Sequence, residues 1–213
     1  MKKFVLAFVA LAAMGGLVAA QGMRFQAIGP LVMYDANFYS NEVDDASVTT
    51  LRLGGVASLA LSDSLELDPE LSVSISNEAN PSIIAIPGLT VSQDYSRLSF
   101  SLGAGVYKTM LNAGALSFKI GPKTMFYLYG EPFGTSATSY DKYFSAQIEV
   151  SLPLMLDIDL GSKFAVRISQ PFASLGWYTY STTLGTLEYA HSELWFETMY
   201  TGLNPTFSCL IKF

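Results

Sequence analysis

The sequence predicts an all-β chain folded as an eight-stranded antiparallel up-and-down transmembrane β-barrel. Three observations carry that expectation. Apolar residues alternate with polar ones along most of the chain, the connections between these stretches alternate short and long, and the alternating apolar face carries no charge. Alternation with a period of two puts one set of side chains on each face of a sheet.

Eight such stretches fall at about 24–39, 48–61, 65–76, 95–109, 115–129, 143–157, 163–180 and 196–213. Ser62-Asp63-Ser64, Leu111-Asn112-Ala113-Gly114 and Asp159-Leu160-Gly161-Ser162 are short and turn-like. The segments 40–47, 77–94, 130–142 and 181–195 are longer and polar. Tight turns at one end and long loops at the other mark a barrel of the bacterial outer membrane. Gly29-Pro30 and Gln170-Pro171 interrupt the alternation, and a bulge is expected at each. Glu197 has the outward parity of the last stretch, so a register shift is expected near Gly202 or Pro205.

The faces differ sharply. Leu51 and Leu53, Leu71 and Val73, Phe100 and Leu102, Phe126 and Leu128, Ile148 and Val150, Val166 and Ile168, and Cys209 and Ile211 belong to the apolar set. No residue of that set is charged, although 14% of the chain is. An Arg or Lys facing lipid at mid-depth costs about 2–4 kcal/mol, which accounts for the exclusion. The opposite faces hold Arg52, Glu66, Asp68, Glu70, Arg97, Lys119, Lys123, Glu149, Arg167 and Lys212. These are expected to form a charge network in the lumen, because buried charges are costly unless paired. Tyr127, Tyr129, Tyr178, Tyr180 and Trp195 cluster with other aromatics towards the loop ends, as a membrane-interface girdle would.

Composition agrees. Half of the 213 residues are hydrophobic, yet beyond residue 20 no stretch is long and apolar enough for a spanning helix. Only a closed sheet otherwise satisfies backbone polar groups in lipid. Lys2 and Lys3 precede the uncharged apolar run Phe4–Val18, and Val18-Ala19-Ala20 offers a cleavage site. Residues 1–20 are therefore expected to be a secretory signal peptide, and 21–213 one barrel domain. The net charge of −6 becomes −8 once Lys2 and Lys3 are removed, which argues against nucleic acid as a partner. A lone cysteine, Cys209, excludes a disulfide framework. No cofactor is implied.

The last stretch, Thr206-Phe207-Ser208-Cys209-Leu210-Ile211-Lys212-Phe213, alternates back from a terminal Phe. It resembles the C-terminal signature of bacterial outer-membrane proteins, which implies that the barrel-assembly machinery reads it, with Phe213 as the assembly signal. Eight strands and the Lys-Phe ending resemble the small-barrel group of OmpX, the OmpA membrane domain and OmpW, the last most of all. An OmpW-like barrel would be a porin-like passage for small hydrophobic molecules, involved in transport across the cell envelope. The alternative is a non-conducting structural or surface-contact barrel, plugged by its own charges.

Two sites invite chemistry. His191-Ser192-Glu193 contains the residue types of a hydrolase, but neighbours on a strand point to opposite faces, so no enzyme is expected. The segment carrying Ile83, Ile84, Ile86 and Leu89 is unusually apolar for a loop. It is read as a candidate gate over the barrel mouth, a segment dipping into the outer leaflet, or a hairpin extending the 65–76 stretch.

Overall fold

A computed structural model describes residues 23–40, 45–80, 93–131, 133, 142–184, 186–198 and 205–213. Its strands are β1 (Arg24–Ser40), β2 (Asp45–Ala60), β3 (Leu65–Asn80), β4 (Gln93–Ala113), β5 (Leu116–Ile120), β6 (Lys123–Tyr129), β7 (Lys142–Asp159), β8 (Phe164–Leu184), β9 (Leu187–Thr198) and β10 (Thr206–Lys212). The expected signal peptide and the segment with Ile83, Ile84, Ile86 and Leu89 lie outside the described residues.

Every pairing is antiparallel, and each barrel strand pairs with its neighbours in sequence. β5 and β6 share one position between β4 and β7, separated at Gly121-Pro122. Pro122 has no N–H to give, and its carbonyl accepts from Val106 N–H at 2.9 Å instead. β9 and β10 likewise share β8. The ring closes where β1 meets β10, with Ala27 opposite Lys212 and Leu31 opposite Ser208. The Phe213 N–H adds a bond to the Gln26 carbonyl at 2.9 Å. This is the eight-stranded up-and-down barrel that the alternation predicts.

Register follows the expected parity. Leu53, Leu71, Val73, Ile148, Val150 and Ile211 are exposed on the outside, while Ser72, Ser74, Ser99, Ser101 and Ser151 are buried on the inside. Gly114 (φ 65°) and Gly161 (φ 108°) take left-handed conformations in two of the short turns.

Three expectations about irregularity are refined. The β1 bulge falls at Gln26, between the Phe25↔Leu59 and Ala27↔Ser58 pairs, whereas Gly29-Pro30 pairs in register with β2. Gly29 is small for another reason: a Cβ there would lie 2.0 Å from the Cys209 carbonyl oxygen. The break near Gln170-Pro171 is a bulge at Phe172, since Pro171 pairs with Pro153 and Ala173 with Leu152. Glu197 faces inward, opposite buried Ser174, whereas even-numbered Ser208 and Leu210 are the inward residues of β10. The inward residues are thus odd-numbered in β9 and even-numbered in β10, and Gly202, where a shift was expected, lies outside the described residues.

The segment 181–195 is not a loop. β8 and β9 continue as a hairpin to the Leu184↔Leu187 pair. Its Ser, Thr and Glu residues suggest a loop, but alternating Tyr189, His191 and Glu193 keep a strand pattern on one face.

Candidate functional site in the barrel interior

Inward positions of β3, β5, β7 and β8 converge near the turn end on a compact ionic cluster. The Arg167 guanidinium sits at its centre. Its Nε donates to Asp157 Oδ1 at 2.6 Å, and its Nη2 donates to Asp157 Oδ2 at 2.8 Å and Glu66 Oε1 at 2.9 Å. Its Nη1 donates to Asp68. Lys119 Nζ bridges Glu66 Oε2 at 2.6 Å and Asp157 Oδ2 at 2.7 Å. Ser58 adds a hydroxyl donor to Glu66 at 3.2 Å. All five charged residues are buried. A guanidinium suits this place because its planar fork donates in several directions at once. One step towards the loop end, Lys123 pairs with Glu70.

Asp157 and Asp159 were not among the expected lumen charges. Asp159 holds Lys212 at 2.9 Å near the turn end. These two, and the inward-facing Glu197, add to the expected anions Glu66, Asp68, Glu70 and Glu149. The parity of Glu149 would have found both aspartates, since 151, 153, 155, 157 and 159 continue its face.

Among the described residues, a chamber lies on each side of the cluster, and the two share no lining residue. The turn-end chamber measures about 420 Å³ and is roofed by Glu66, Lys119, Asp157 and Arg167. The loop-end chamber measures about 220 Å³ and is lined by Lys123, Met125, Glu149 and Pro153, together with Arg52, Tyr127, Tyr129 and Trp195. Buried Tyr107, Met125 and Met155 add bulk to the interior. An eight-stranded barrel has little more room than its own side chains fill. A solute moving along the axis would have to break the ionic cluster.

The loop-end chamber is polar, with Thr50, Ser74, Ser76, Ser99, Ser151 and Ser174 in its wall. The Thr50–Ser76 hydroxyls lie 2.9 Å apart. Arg52 stacks over the Tyr127 ring, 5.0 Å from its centroid, and Arg97 lies between the Tyr95 and Tyr129 rings at 5.6 and 5.7 Å. Tyr127 Oη donates to Glu149 at 3.0 Å and Tyr129 Oη to Gln147 at 2.7 Å.

The aromatic girdle is thus split. Tyr34, Phe144, Trp177 and Phe196 are exposed outside, as a girdle requires. Tyr127, Tyr129, Tyr178, Tyr180 and Trp195 instead face the lumen. Phe126 and Leu128 already take the outward face of β6, which leaves Tyr127 and Tyr129 only the inside. At the turn end, Phe25 and Phe213 rings meet at 5.2 Å.

The trio on β9 is not brought together. His191 Nε2 lies 3.3 Å from Glu193 Oε2 on the inward face, whereas Ser192 Oγ donates to Thr179 Oγ1 at 2.8 Å. No group of three or more metal-ligating residues gathers among the described residues.

No protein-family model matches the chain, and no curated protein sequence does. Among solved structures, the chain is similar to the beta domain of the Bordetella autotransporter BrkA, with 12% identity and a TM-score of 0.39. That alignment covers 89% of this chain and 99% of that one. A bacterial polysaccharide outer membrane secretin aligns over 91% of this chain and 99% of its own, with 9% identity and a TM-score of 0.20. Scores this low say nothing of what this barrel does.

Proposed function

We propose that this protein is an integral β-barrel of the bacterial outer membrane, exported by a cleaved signal peptide at residues 1–20, with a lumen closed by its own ion pairs. The carrying observation is the reversal of a soluble protein's pattern. Leu53, Leu71, Val150 and Phe207 are exposed outside, while Glu66, Asp68, Lys119, Asp157 and Arg167 are buried inside. Lipid is the solvent that rewards an apolar exterior, and a closed sheet is what it permits. The working surface is then the loop end, and the protein acts as a structural or surface-contact barrel.

Passage of small hydrophobic molecules is the competing reading, and it needs an apolar route that the polar loop-end chamber does not supply. Fractionation and bilayer recording test both. Full-length protein should be recovered in the outer-membrane fraction with its first residue near Gln21. Purified protein in planar bilayers should give no conductance steps, and liposomes holding it should take up apolar dyes no faster than empty ones. Steady conductance or accelerated uptake would restore the channel. A protein recovered soluble from the periplasm would overturn both readings.

A further inference from the structure

The inward face of the loop-end half carries a connected series of aromatic rings. Tyr127 and Tyr129 stack at 6.2 Å with planes 16° apart, and Tyr129 meets Tyr178 edge-on at 5.9 Å. Tyr178 contacts Tyr180 at 6.0 Å, and Tyr180 contacts Tyr189 at 5.4 Å and His191 at 5.9 Å. The series runs from the chamber to the β8–β9 hairpin.

Trp195 gives the chamber a flat wall. A Cβ on Gly176 would lie 2.2 Å from its Cζ2, 2.3 Å from Cε2 and 2.6 Å from Nε1. Three indole atoms that close to one backbone position mean that the ring lies flat on β8, over the space the glycine leaves. The other face of the indole is turned to the lumen, where Trp195 lines the chamber.

The charge lining the chamber is balanced, with Arg52 and Lys123 against Glu149 and Glu197. That balance disfavours a strongly charged ligand. Arg52 nevertheless has donors to offer. Its Nε is buried without a hydrogen-bond partner, and its guanidinium stacks on Tyr127 in the field of Glu70 and Glu149. Glu149 accepts the Tyr127 hydroxyl as well. Arg52 lines the chamber, where the fork of a guanidinium suits the acceptor oxygens of a ligand hydroxyl.

We propose that the loop-end chamber binds a neutral carbohydrate, as a single sugar ring or the end of a glycan chain. Sugars combine the two needs of this wall. Their C–H faces stack on flat aromatic rings such as Trp195 and Tyr129. Their hydroxyls both donate and accept, which matches Arg52, Glu149 and the serine wall. At about 220 Å³ the chamber is below the size of ordinary drug-like pockets, so it admits one ring and not a chain. The tyrosine series would carry the remainder of a glycan towards the hairpin. The proposal rests on the loop end facing outward from the membrane.

Trp195 is the reporter. The chain has two tryptophans, and Trp177 is on the outer face, so a Trp177→Phe background isolates the signal. The full mature chain is folded in a sugar-free detergent and titrated with glucose, galactose and N-acetylglucosamine. Lactose and N,N′-diacetylchitobiose present the same units as chain ends. At least one probe should change Trp195 emission saturably. Arg52→Gln and Tyr129→Leu should each weaken that binding about tenfold, with heat-modifiable migration unchanged. Stronger response to the disaccharides assigns a glycan end, and response to free sugars alone assigns a solute. No saturable response from any probe, or full binding by both folded variants, overturns the proposal. Periplasmic recovery of a soluble chain would instead sink the membrane reading beneath it.

Discussion

Asp157 and Arg167 stand directly opposite each other on β7 and β8 and are joined by two parallel hydrogen bonds, of 2.6 and 2.8 Å. Cross-strand neighbours on one face lie close enough for such a pair without any loop to position them. The same guanidinium then reaches across the lumen to Glu66 and Asp68 on β3, so one side chain fastens opposite walls of the barrel.

Removing that fastener is expected to be costly. Arg167→Met would leave Glu66 and Asp157 with Lys119 as their cation and would take from Asp68 its ion pair, and breaking a buried pair by losing one member costs about 3–5 kcal/mol. Urea unfolding in lipid vesicles should show the loss. Arg167→Lys should recover only part of it, because a point charge cannot reproduce the planar fork. Equal stability of Arg167→Met and wild type would mean that the cluster holds nothing together.

Added charge on the outer face of β7 should be costly. Val150 is exposed on the outer face near the middle of the strand, and Ser151 is buried inside. In a lipid bilayer Val150→Arg is expected to destabilise by about 2–4 kcal/mol. Val150→Leu should be near neutral. The comparison is read from urea midpoints in vesicles, and an indifferent Val150→Arg would remove the membrane from the account.

These pairs also show why the fold was legible and the site less so. Strand parity is a local, repetitive property, and Leu53 against Arg52 or Val150 against Glu149 display it within two residues. The ring, its turns and the expected lumen charges all follow from parity. Partner choice does not. Lys119 is 53 residues from Glu66, and Arg167 is 101 residues from it, so only the closed ring joins them. The aromatic series was hidden for a different reason. Tyr and Trp suit both a lipid interface and a lumen wall, so composition favoured the girdle, and only the faces of β6, β8 and β9 separate the two. Parity also changes at Phe172, and β9 and β10 have opposite parity, so Glu197 and Trp195 lie inward where the β10 register would have placed them outside.

Phe213 should matter for assembly more than for the finished barrel. Its ring meets Phe25 and its N–H bonds the Gln26 carbonyl, so it seals the β1–β10 joint at the turn end. Deleting it is expected to slow arrival in the outer membrane several-fold while leaving the thermal stability of purified, refolded protein within about 1 kcal/mol. Pulse-labelled fractionation measures the first and denaturant titration the second. Normal delivery of the shortened chain would remove the assembly role and leave a simple contact.

Gly176 offers a test of how Trp195 lies, independent of any ligand. A methyl group at 2.2 Å from the indole cannot be accommodated where it stands, and the ring is the side that can move. Gly176→Ala is therefore expected to lift the indole off β8 into the chamber, at a cost of about 1–3 kcal/mol for overpacking. In the Trp177→Phe background its emission should shift and its quenching by acrylamide should rise. Gly54→Ala, on the same inward face but far from the indole, should leave both unchanged while costing stability through Ser72, whose Cβ would be 2.4 Å away. If Gly176→Ala leaves the emission as it was, the indole does not lie flat on the wall. The chamber would then lose the platform on which a sugar ring was expected to rest.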